Sequence, residues 1–437
     1  MRTTRGLGGA LGLSLLAAAA AGCGGEGSGS GGGPTGPVIP AVVGTFGTAS
    51  TFATHAQLAG YGYSYGPSDG QFGAIRGNAG TYTFYGSAGS GTACAGTPSL
   101  TGEYTFTGTL TQVTGSSCTR LFGPGSGPAG WVFDSNYAAG GPVVRFAVGA
   151  DSGWFIPFHA EIHWVNPSTS DGLCYVNGTS GGEVPCFYGG LGLAVSTDGG
   201  VTFRVVGQVF QPSEALSVFK GGGTNMSVGY GSLLVADSSG KHLPNPPADP
   251  SSAYFYLFFT DRLAAAPGAC TGRSCVGVER ARYDAVVAAA LSGDPHQVAT
   301  AFRKYDGTSW TAPATSDTPG DTGTAGAYAP LFTDETGALP EVMYDSAVGA
   351  YLLVYQSNGG IAVRASSDLV HWSGSIATAY SEPGRQLYFP TLMGETGDPT
   401  IGGPQPRVYF TSFPTDSFPK YATSVFESVP LSVSKGP

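Results

Sequence analysis

The chain has 437 residues, only 11% of them charged, and a formal net charge of −10. Its 22 tyrosines and 24 phenylalanines far outnumber the 19 lysines and arginines, and glycine (72) and proline (31) are abundant. An acidic chain without basic runs is a poor partner for nucleic acid. The composition favours strands and tight turns over long helices, so we predict an all-β protein with a short helix only near residues 281–291.

The chain begins with a pattern typical of export. Arg2 and Arg5 precede an apolar stretch at residues 7–21, and the run AAGC then ends at Cys23. This ending resembles a bacterial lipobox, which implies cleavage before Cys23 and lipidation of its sulfur. The alternative is an ordinary secretory signal followed by an incidental cysteine. Removal of residues 1–22 takes away two arginines and no acid, so the charge would change from −10 to −12.

Residues 23–40 are rich in glycine, serine and proline and predict a flexible tether. It would connect the lipid to one domain at residues 41–437. No later stretch is long and apolar enough to span a bilayer. We therefore expect a monomer in the bacterial cell envelope, on the outer membrane or cell surface, held to the membrane by its lipid anchor alone and needing no cofactor.

An imperfect repeat runs through the predicted domain. Each unit has an aromatic-rich strand, a turn and a second strand, and the units begin near residues 81, 154, 254, 351 and 407. Five units of about seventy residues fit a five-bladed β-propeller with four-stranded blades. A sandwich of two sheets is the structural alternative.

The second unit has a strand with three ionisable side chains on one face. Because strand side chains alternate, His159, Glu161 and His163 point the same way. Glu161 is the candidate catalytic acid, since burial among aromatic residues would raise its pKa. His159 and His163 are candidate substrate-binding residues, which could hydrogen-bond a sugar or orient the Glu161 carboxylate. The alternatives are a satisfied buried network, or a metal site, which the spacing of about 7 Å between alternate strand residues disfavours.

The six cysteines other than Cys23 fall into local pairs. An exported protein would oxidise them, although six cysteines allow fifteen connectivities. Metal binding is the alternative, but no C-x-x-C spacing occurs, and we expect no metal site. The candidate pairs are Cys94 with Cys118, Cys174 with Cys186, and Cys270 with Cys275.

The second unit closes on the octet STDGGVTF, which ends at Phe203. Asp198 can accept hydrogen bonds from turn amides, and Gly199 and Gly200 supply positive φ angles. The octet resembles the Asp-box, S-x-D-x-G-x-T-W/F, of sialidase-like propellers. That motif marks a blade hairpin and is structural. A sialidase would also need an arginine triad, and so few arginines do not identify one.

The fourth unit, EVMYDSAVGAYLLVYQSNGGIAVRASSDLVHW, carries a second resemblance. It is similar to a phrase of five-bladed glycoside hydrolases of the arabinanase, β-xylosidase and invertase type. Ser366, Asp368, Leu369 and Trp372 occupy the last part of that phrase. The resemblance implies hydrolysis of a neutral polysaccharide by a carboxylate pair, with inversion at the anomeric carbon.

The same resemblance implies roles for further residues. A first-blade aspartate is the family's general base, and Asp69, in DGQFGAI, stands in a comparable place without the family's proline. The alternative is that Asp69 only forms a turn. Asp261, at the end of YLFFTD, corresponds to the third acid that tunes a neighbour's pKa. Glu341 precedes a strand where the family commonly has no acid, and we predict it to be peripheral.

Arg280 and Arg282 share a strand face in the third unit. They could bind a carboxylate or sugar hydroxyls, or they could form surface ion pairs with Glu279 or Asp284. The predicted function is glycoside hydrolysis by Asp69 as the base and Glu161 as the acid. The alternative is a propeller that binds a glycan or a protein without catalysis, because one fold hosts many functions.

Overall fold

A computed structural model of the chain describes residues 39–61, 63–65, 69–90, 101–165, 174–175, 183–184, 186–222, 229–262, 268–270, 273–316, 325–396, 398–416 and 421–437. The predicted signal, the lipidation site at Cys23, nearly all of the tether, and Cys94 lie outside these residues. No helix in the described part of the chain is long and apolar enough to cross a membrane.

The described residues are mostly strands. The strands of the first half are β1 Val42–Phe46, β2 Ser50–Thr54, β3 Tyr63–Tyr65, β4 Gly73–Arg76, β5 Tyr82–Ser90, β6 Thr101–Thr109, β7 Gln112–Phe122, β8 Tyr137–Ala139, β9 Val144–Val148, β10 Asp151–Trp164, β11 Cys174–Tyr175, β12 Glu183–Val184, β13 Cys186–Ser196 and β14 Arg204–Phe210. Those of the second half are β15 Leu233–Asp237, β16 Ala253–Arg262, β17 Ser274–Arg282, β18 Arg303–Lys304, β19 Ala312–Pro313, β20 Ala338–Asp345, β21 Ala350–Ser357, β22 Gly360–Ser366, β23 Arg385–Met393, β24 Ile401–Gly402, β25 Arg407–Pro414 and β26 Val425–Lys435.

These strands form five antiparallel blades, with one parallel pair, β20 with β24. Blade 1 contains β3 to β7, blade 2 contains β8 to β10 with β13 and β14, and blade 3 contains β15 to β19. Blade 4 contains β20 to β22 with β24. Blade 5 joins β23, β25 and β26 to β1 and β2, so both ends of the domain share one sheet. The separate pair β11–β12 stands outside the blades.

A central channel shows that the blades form a propeller and not a sandwich. A cavity of about 50 Å³ is lined by residues of β4, β9, β15, β20 and β23, one strand from each blade. These inner strands therefore converge on one axis. We call the end of the channel where the inner strands begin its mouth. The prediction of a five-bladed β-propeller is confirmed.

The second strand of a blade contacts the beginning of the next blade's inner strand. Four such contacts tie blades 1 to 5 together near the mouth, and each uses a polar side chain. They are Ser87 Oγ to Tyr137 OH (2.6 Å), the His159 ring on the Tyr230 ring (3.6 Å), the Leu339 amide to Thr260 Oγ1 (2.8 Å), and Gln356 Nε2 to the Leu387 carbonyl (2.8 Å).

The five predicted repeat units correspond to the second and third strands of the five blades, because those strands hold the aromatic core positions. The predicted helix is also confirmed, at α3 Tyr283–Ser292. The expectation that it stands alone is wrong. Among the described residues, three further α-helices connect blades or flank their sheets, namely α1 His55–Gly60, α2 Leu216–Gly222 and α4 Pro295–Ala301. In α4, Asp294 caps the first turn through the amides of His296 and Gln297, a local signal that the composition concealed.

Candidate active site

The three ionisable side chains of β10 meet as the strand alternation predicts. His159 Nε2 lies 2.9 Å from Glu161 Oε1, and His163 Nε2 lies 2.6 Å from Glu161 Oε2. Each carboxylate oxygen therefore has its own histidine. Exposure increases along the strand, because the side chains of His159, Glu161 and His163 are 0%, 10% and 29% exposed. The carboxylate bridges a buried histidine and one that reaches solvent.

The electrostatics of Glu161 differ from the expectation. Burial acts to raise its pKa, but the hydrogen bonds from His159 and His163, together with their electrostatic attraction, outweigh burial. The pKa of Glu161 is therefore lowered, and the carboxylate is ionised at neutral pH. The expectation of a raised pKa is wrong because alternation along the strand brings both imidazoles onto the two oxygens.

His159 is fixed on all sides. Its backbone amide donates to the carbonyl of Gly140 (3.2 Å), and its ring stacks on Tyr230. Its buried Nδ1 has no hydrogen-bond partner, and a Cβ built on Gly229 would come within 2.7 Å of it. The ring therefore carries its hydrogen on Nε2, which donates to Glu161, and none on Nδ1. A hydrogen on Nδ1 would be a buried N–H without a partner, which is costly.

Asp69 reaches the same end of the channel from blade 1. The hydroxyl of Tyr137 donates to the Asp69 carbonyl (2.7 Å) and lies 3.2 Å from Asp69 Oδ2. The Tyr137 ring is 5.6 Å from the His159 ring. Tyr137 thus contacts Asp69 and is paired in register with Glu161, the other carboxylate that the sequence singled out. A tyrosine in the run SNYAAGG carried no signal that could have identified this role.

Glu103 of β6 is a buried acid that the sequence analysis missed. It accepts a hydrogen bond from the Gly140 amide (2.7 Å), and its Oε1 has no partner. Burial raises its pKa to about 8 although the amide acts in the opposite direction. Gly140 has a φ of 76°, and it also accepts from His159, so Glu103 braces the backbone behind the site. The sequence did contain a signal for this residue, because an acid in the aromatic strand EYTF is expected to be buried.

Aromatic rings border the site on the side of blades 3 and 5. Tyr230 lies 5.5 Å from Phe389 and packs with Leu339 and Phe389 in one apolar cluster. All three residues have positive φ angles, of 38°, 56° and 57°. Non-glycine residues rarely adopt this region, and such strain tends to occur at functional sites.

Asp261 does not join this site. Its Oδ2 accepts from the amide and the hydroxyl of Ser213, both at 2.9 Å, and the neighbouring Lys304 is buried with it. Lys304 is paired in register with Glu279, which is also fully buried. Burial raises the pKa of Asp261 and raises that of Glu279 well above its ordinary range. These residues form a separate cluster within blade 3.

Arg280 and Arg282 lie at the end of blade 3 away from the mouth. Arg280 donates to the carbonyl of Ser238, just after β15, and its guanidinium lies 4.3 Å from the Trp310 ring centroid. Arg282 pairs with Asp284 at 2.7 Å. The structure therefore supports the surface-pair alternative for Arg282 and a packing role for Arg280. Neither arginine is brought to the proposed substrate site.

Glu341 is not peripheral, which corrects the expectation from the sequence. It lines the central cavity and is 5% exposed, and its Oε2 has no hydrogen-bond partner. Burial raises its pKa well above the ordinary range. The position follows from β20 being the inner strand of blade 4.

The hairpin between β13 and β14 has the predicted turn chemistry. Asp198 Oδ1 accepts from the amides of Val201 (3.1 Å) and Thr202 (3.0 Å), and Oδ2 accepts from Thr202 Oγ1 (2.6 Å). Gly199 and Gly200 have φ angles of 81° and 88°. The hairpin joins the ends of strands far from the mouth, so Asp198 organises a turn and does not touch the site.

One predicted disulfide is present, between Cys270 and Cys275. Cys186 is also disulfide-bonded. Cys94 lies outside the described residues, as do the side chains of Cys118 and Cys174, so these pairings stay predictions. Within the described ranges, no group of three or more histidines, cysteines, aspartates or glutamates could hold a metal ion.

No protein-family model matches the chain, and no curated protein matches its sequence. Several solved structures are similar. The catalytic domain of a Coprinopsis cinerea GH62 α-L-arabinofuranosidase is 10% identical, with 90% of this chain and 98% of that chain covered and a TM-score of 0.41. A Podospora anserina α-L-arabinofuranosidase is 11% identical, with coverage of 92% and 98% and a TM-score of 0.41.

A third similar structure is the exo-β-1,3-galactanase of Phanerochaete chrysosporium. It is 10% identical, with 90% of this chain and 64% of that chain covered and a TM-score of 0.40. TM-scores below 0.5 do not identify a family, and the propeller is established by the sheet topology of the chain itself.

Proposed function

We propose that the protein is a glycoside hydrolase whose site lies at the channel mouth beside blades 1 and 2. The supporting observation is a chain of contacts that links carboxylates of two different blades. Tyr137 holds Asp69, its ring lies 5.6 Å from that of His159, and His159 holds Glu161. Hydrolysis of a glycosidic bond needs one group that donates a proton and one that activates water, and this arrangement offers both.

Asp69 is the proposed base, because it is partly exposed and its Oδ2 lies 3.2 Å from the Tyr137 hydroxyl. It would take a proton from the water that attacks the anomeric carbon. The histidine–glutamate group of β10 would deliver a proton to the departing oxygen. Water attack opposite the leaving group gives inversion and requires a separation of about 6.5–9.5 Å between the two groups. The acidic chain favours neutral glycans over polyanions as substrates.

Sugar release from arabinans, xylans, galactans and fructans tests the proposal. Wild-type protein is compared with Asp69→Asn and Glu161→Gln, and with Asp249→Asn as a control in an exposed turn. We expect release by the wild type and the control, and a loss of about 100-fold or more in both site variants. Equal release by all four proteins would remove these residues from the mechanism.

A non-catalytic glycan-binding propeller is the second candidate. It is favoured by the engagement of both Glu161 oxygens by histidines, which is typical of a structural network. Isothermal titration calorimetry with the same oligosaccharides, in parallel with product analysis, separates the two functions. Binding without any product would support this second candidate.

The envelope location is also a proposal. Cleavage before Cys23 and lipidation of its sulfur would tether the propeller through residues 23–40, and the octet ending at Phe203 would serve as an Asp-box hairpin. Detergent-phase partitioning of the wild type and of Cys23→Ser tests the anchor. The wild type is expected in the detergent phase and the variant in the aqueous phase.

A further inference from the structure

We infer that His163, and not Glu161, carries the proton that this site delivers to the departing sugar oxygen. The inference rests on the proposed glycoside hydrolysis and names the donor within it. Two histidines hold the same carboxylate, but they differ in burial and in the partners of their second ring nitrogen. That difference separates a positioning histidine from a proton donor.

His159 cannot be the donor. Its side chain is fully buried, its Nε2 is committed to Glu161 Oε1, and Tyr230 covers the ring face. Its Nδ1 has no hydrogen-bond partner and is closely covered by the backbone at Gly229. Neither ring nitrogen can reach a substrate, so His159 positions Glu161.

His163 has the accessibility that His159 lacks. Its side chain is 29% exposed, its Nε2 lies 2.6 Å from Glu161 Oε2, and no described contact engages its Nδ1. Its backbone is also held, because the His163 amide donates to Asn136 Oδ1 (2.8 Å) and the Asn136 amide donates to the Glu161 carbonyl (3.0 Å). The ring is therefore held at one nitrogen and available at the other.

The other acids around the site do not fit the donor's role. Glu161 is ionised, with each oxygen accepting from a histidine. Glu103 is neutral at neutral pH but fully buried behind Gly140, so no substrate can reach it. Asp69, across Tyr137, is the proposed base. Around His163, the described structure has Glu161 and His159 on the same strand, and Tyr137, paired in register with Glu161, on the neighbouring strand. Asp69 contacts Tyr137 from blade 1.

His163 carries hydrogens on both ring nitrogens, with Nε2–H donating to the Glu161 carboxylate. Nδ1–H passes its proton to the glycosidic oxygen as the bond from that oxygen to the anomeric carbon breaks. Asp69 takes a proton from the water whose oxygen bonds to that carbon. Solvent then restores the proton of His163 and removes that of Asp69, so one water is consumed for each bond cleaved.

Side-chain ¹⁵N NMR of the full chain locates the proton without any substrate. We expect hydrogens on both ring nitrogens of His163 and a hydrogen on Nε2 alone in His159. Assignments come from His163→Gln and His159→Gln. A second ring proton on His159 instead, or on neither histidine, overturns the inference. This result is independent of activity and so is separate from a failure of the proposed hydrolysis.

Leaving-group dependence tests the catalytic role. A dinitrophenyl leaving group needs no protonation, whereas a sugar alcohol does. In His163→Gln, whose amide retains a donor for Glu161, we expect hydrolysis of oligosaccharides to fall by about 100- to 10,000-fold and that of dinitrophenyl glycosides by less than about 10-fold. His371→Gln, which removes an exposed histidine paired with Asp368, is the matched control.

The pH profile completes the test. Loss of the alkaline limb of kcat/KM in His163→Gln, with the control unchanged, supports the inference. An equal loss on both leaving groups with an unaltered pH profile overturns it, because that pattern describes a structural residue. If the wild type cleaves no glycoside, the proposed function fails, and the NMR result alone decides where the proton lies.

Discussion

The ring of His159 in blade 2 lies flat on the ring of Tyr230 at the start of blade 3, with centroids 3.6 Å apart and planes 17° from parallel. Tyr230 holds a positive φ angle of 38° in this position. The stack fixes the imidazole whose Nε2 orients Glu161. The contact between two blades therefore sets the geometry of the candidate site.

Tyr230→Ala should remove this support. Because the ring is buried, we expect the free energy of unfolding to fall by about 3 kcal/mol, with loss of any glycosidase activity. Tyr230→Phe keeps the stack and should stay within about 1 kcal/mol of the wild type. Urea unfolding measures both variants. An equal loss in both would assign the effect to the hydroxyl group.

Glu103→Gln should stabilise the protein at alkaline pH. The pKa of Glu103 is raised from its ordinary value of 4.5 to about 8 in the folded state, so its contribution is greatest below pH 4.5 and is lost as pH increases toward 8. At about 1.4 kcal/mol per pKa unit, this loss amounts to about 5 kcal/mol. The side-chain amide oxygen of the introduced glutamine can still accept the hydrogen bond from the Gly140 backbone amide.

Unfolding curves at pH 4.5, 6.5 and 8.5 check this expectation. The difference between Glu103→Gln and the wild type should grow with pH, whereas the exposed Asp151→Asn should show no such trend. A constant difference across the three values would mean that Glu103 is ionised in the folded protein.

Lys304→Met should be strongly destabilising. Lys304 is fully buried, its Nζ donates to the Gln211 carbonyl (2.7 Å) and to Ser213 Oγ (3.3 Å), and Asp261 and Glu279 act on it electrostatically. The variant leaves these buried acceptors without their donor and removes the positive charge near Asp261, which together cost about 3 kcal/mol at neutral pH. The loss should be smaller at pH 5, because the pKa values of both acids are raised and they protonate more easily there.

Chemical denaturation at pH 5 and pH 8 measures this effect. Lys241→Met, at an exposed lysine, is the matched control and should change the free energy of unfolding little. A loss that is the same at both pH values would contradict the proposed dependence on the two acids.

Asp198→Ala should lower Tm by about 2–4 °C, because four hydrogen bonds to its carboxylate within the turn are lost. These bonds hold the pKa of Asp198 at about 2, below its ordinary 3.8. Its stabilising contribution is therefore present above pH 3.8 and disappears as pH falls through about 2. Differential scanning calorimetry at pH 7 and pH 2 should show a smaller difference from the wild type at the lower pH. Sugar release should stay unchanged, since the turn is far from the mouth.

Local patterns predicted much of this protein. Alternation along β10 is a property of any strand, so it brought His159, Glu161 and His163 to one face in advance. The turn at Asp198 and the helix α3 were also readable, because neighbouring residues supply their hydrogen bonds and packing. The recurrence of aromatic strand pairs predicted the five blades, since each unit must bury the same kind of face.

Only the tertiary structure decided the rest. Whether the pKa of Glu161 is raised or lowered depends on the relative size of two effects, burial and the hydrogen bonds from two histidines. Side-chain alternation along the strand does not give that relative size. The link from Asp69 to His159 passes through Tyr137, which is 68 residues away from Asp69 along the chain. The central position of Glu341 and the burial of Glu103 follow from the convergence of five sheets on one axis. Such long-range contacts are a property of the closed ring of blades, and no local pattern in the sequence records them.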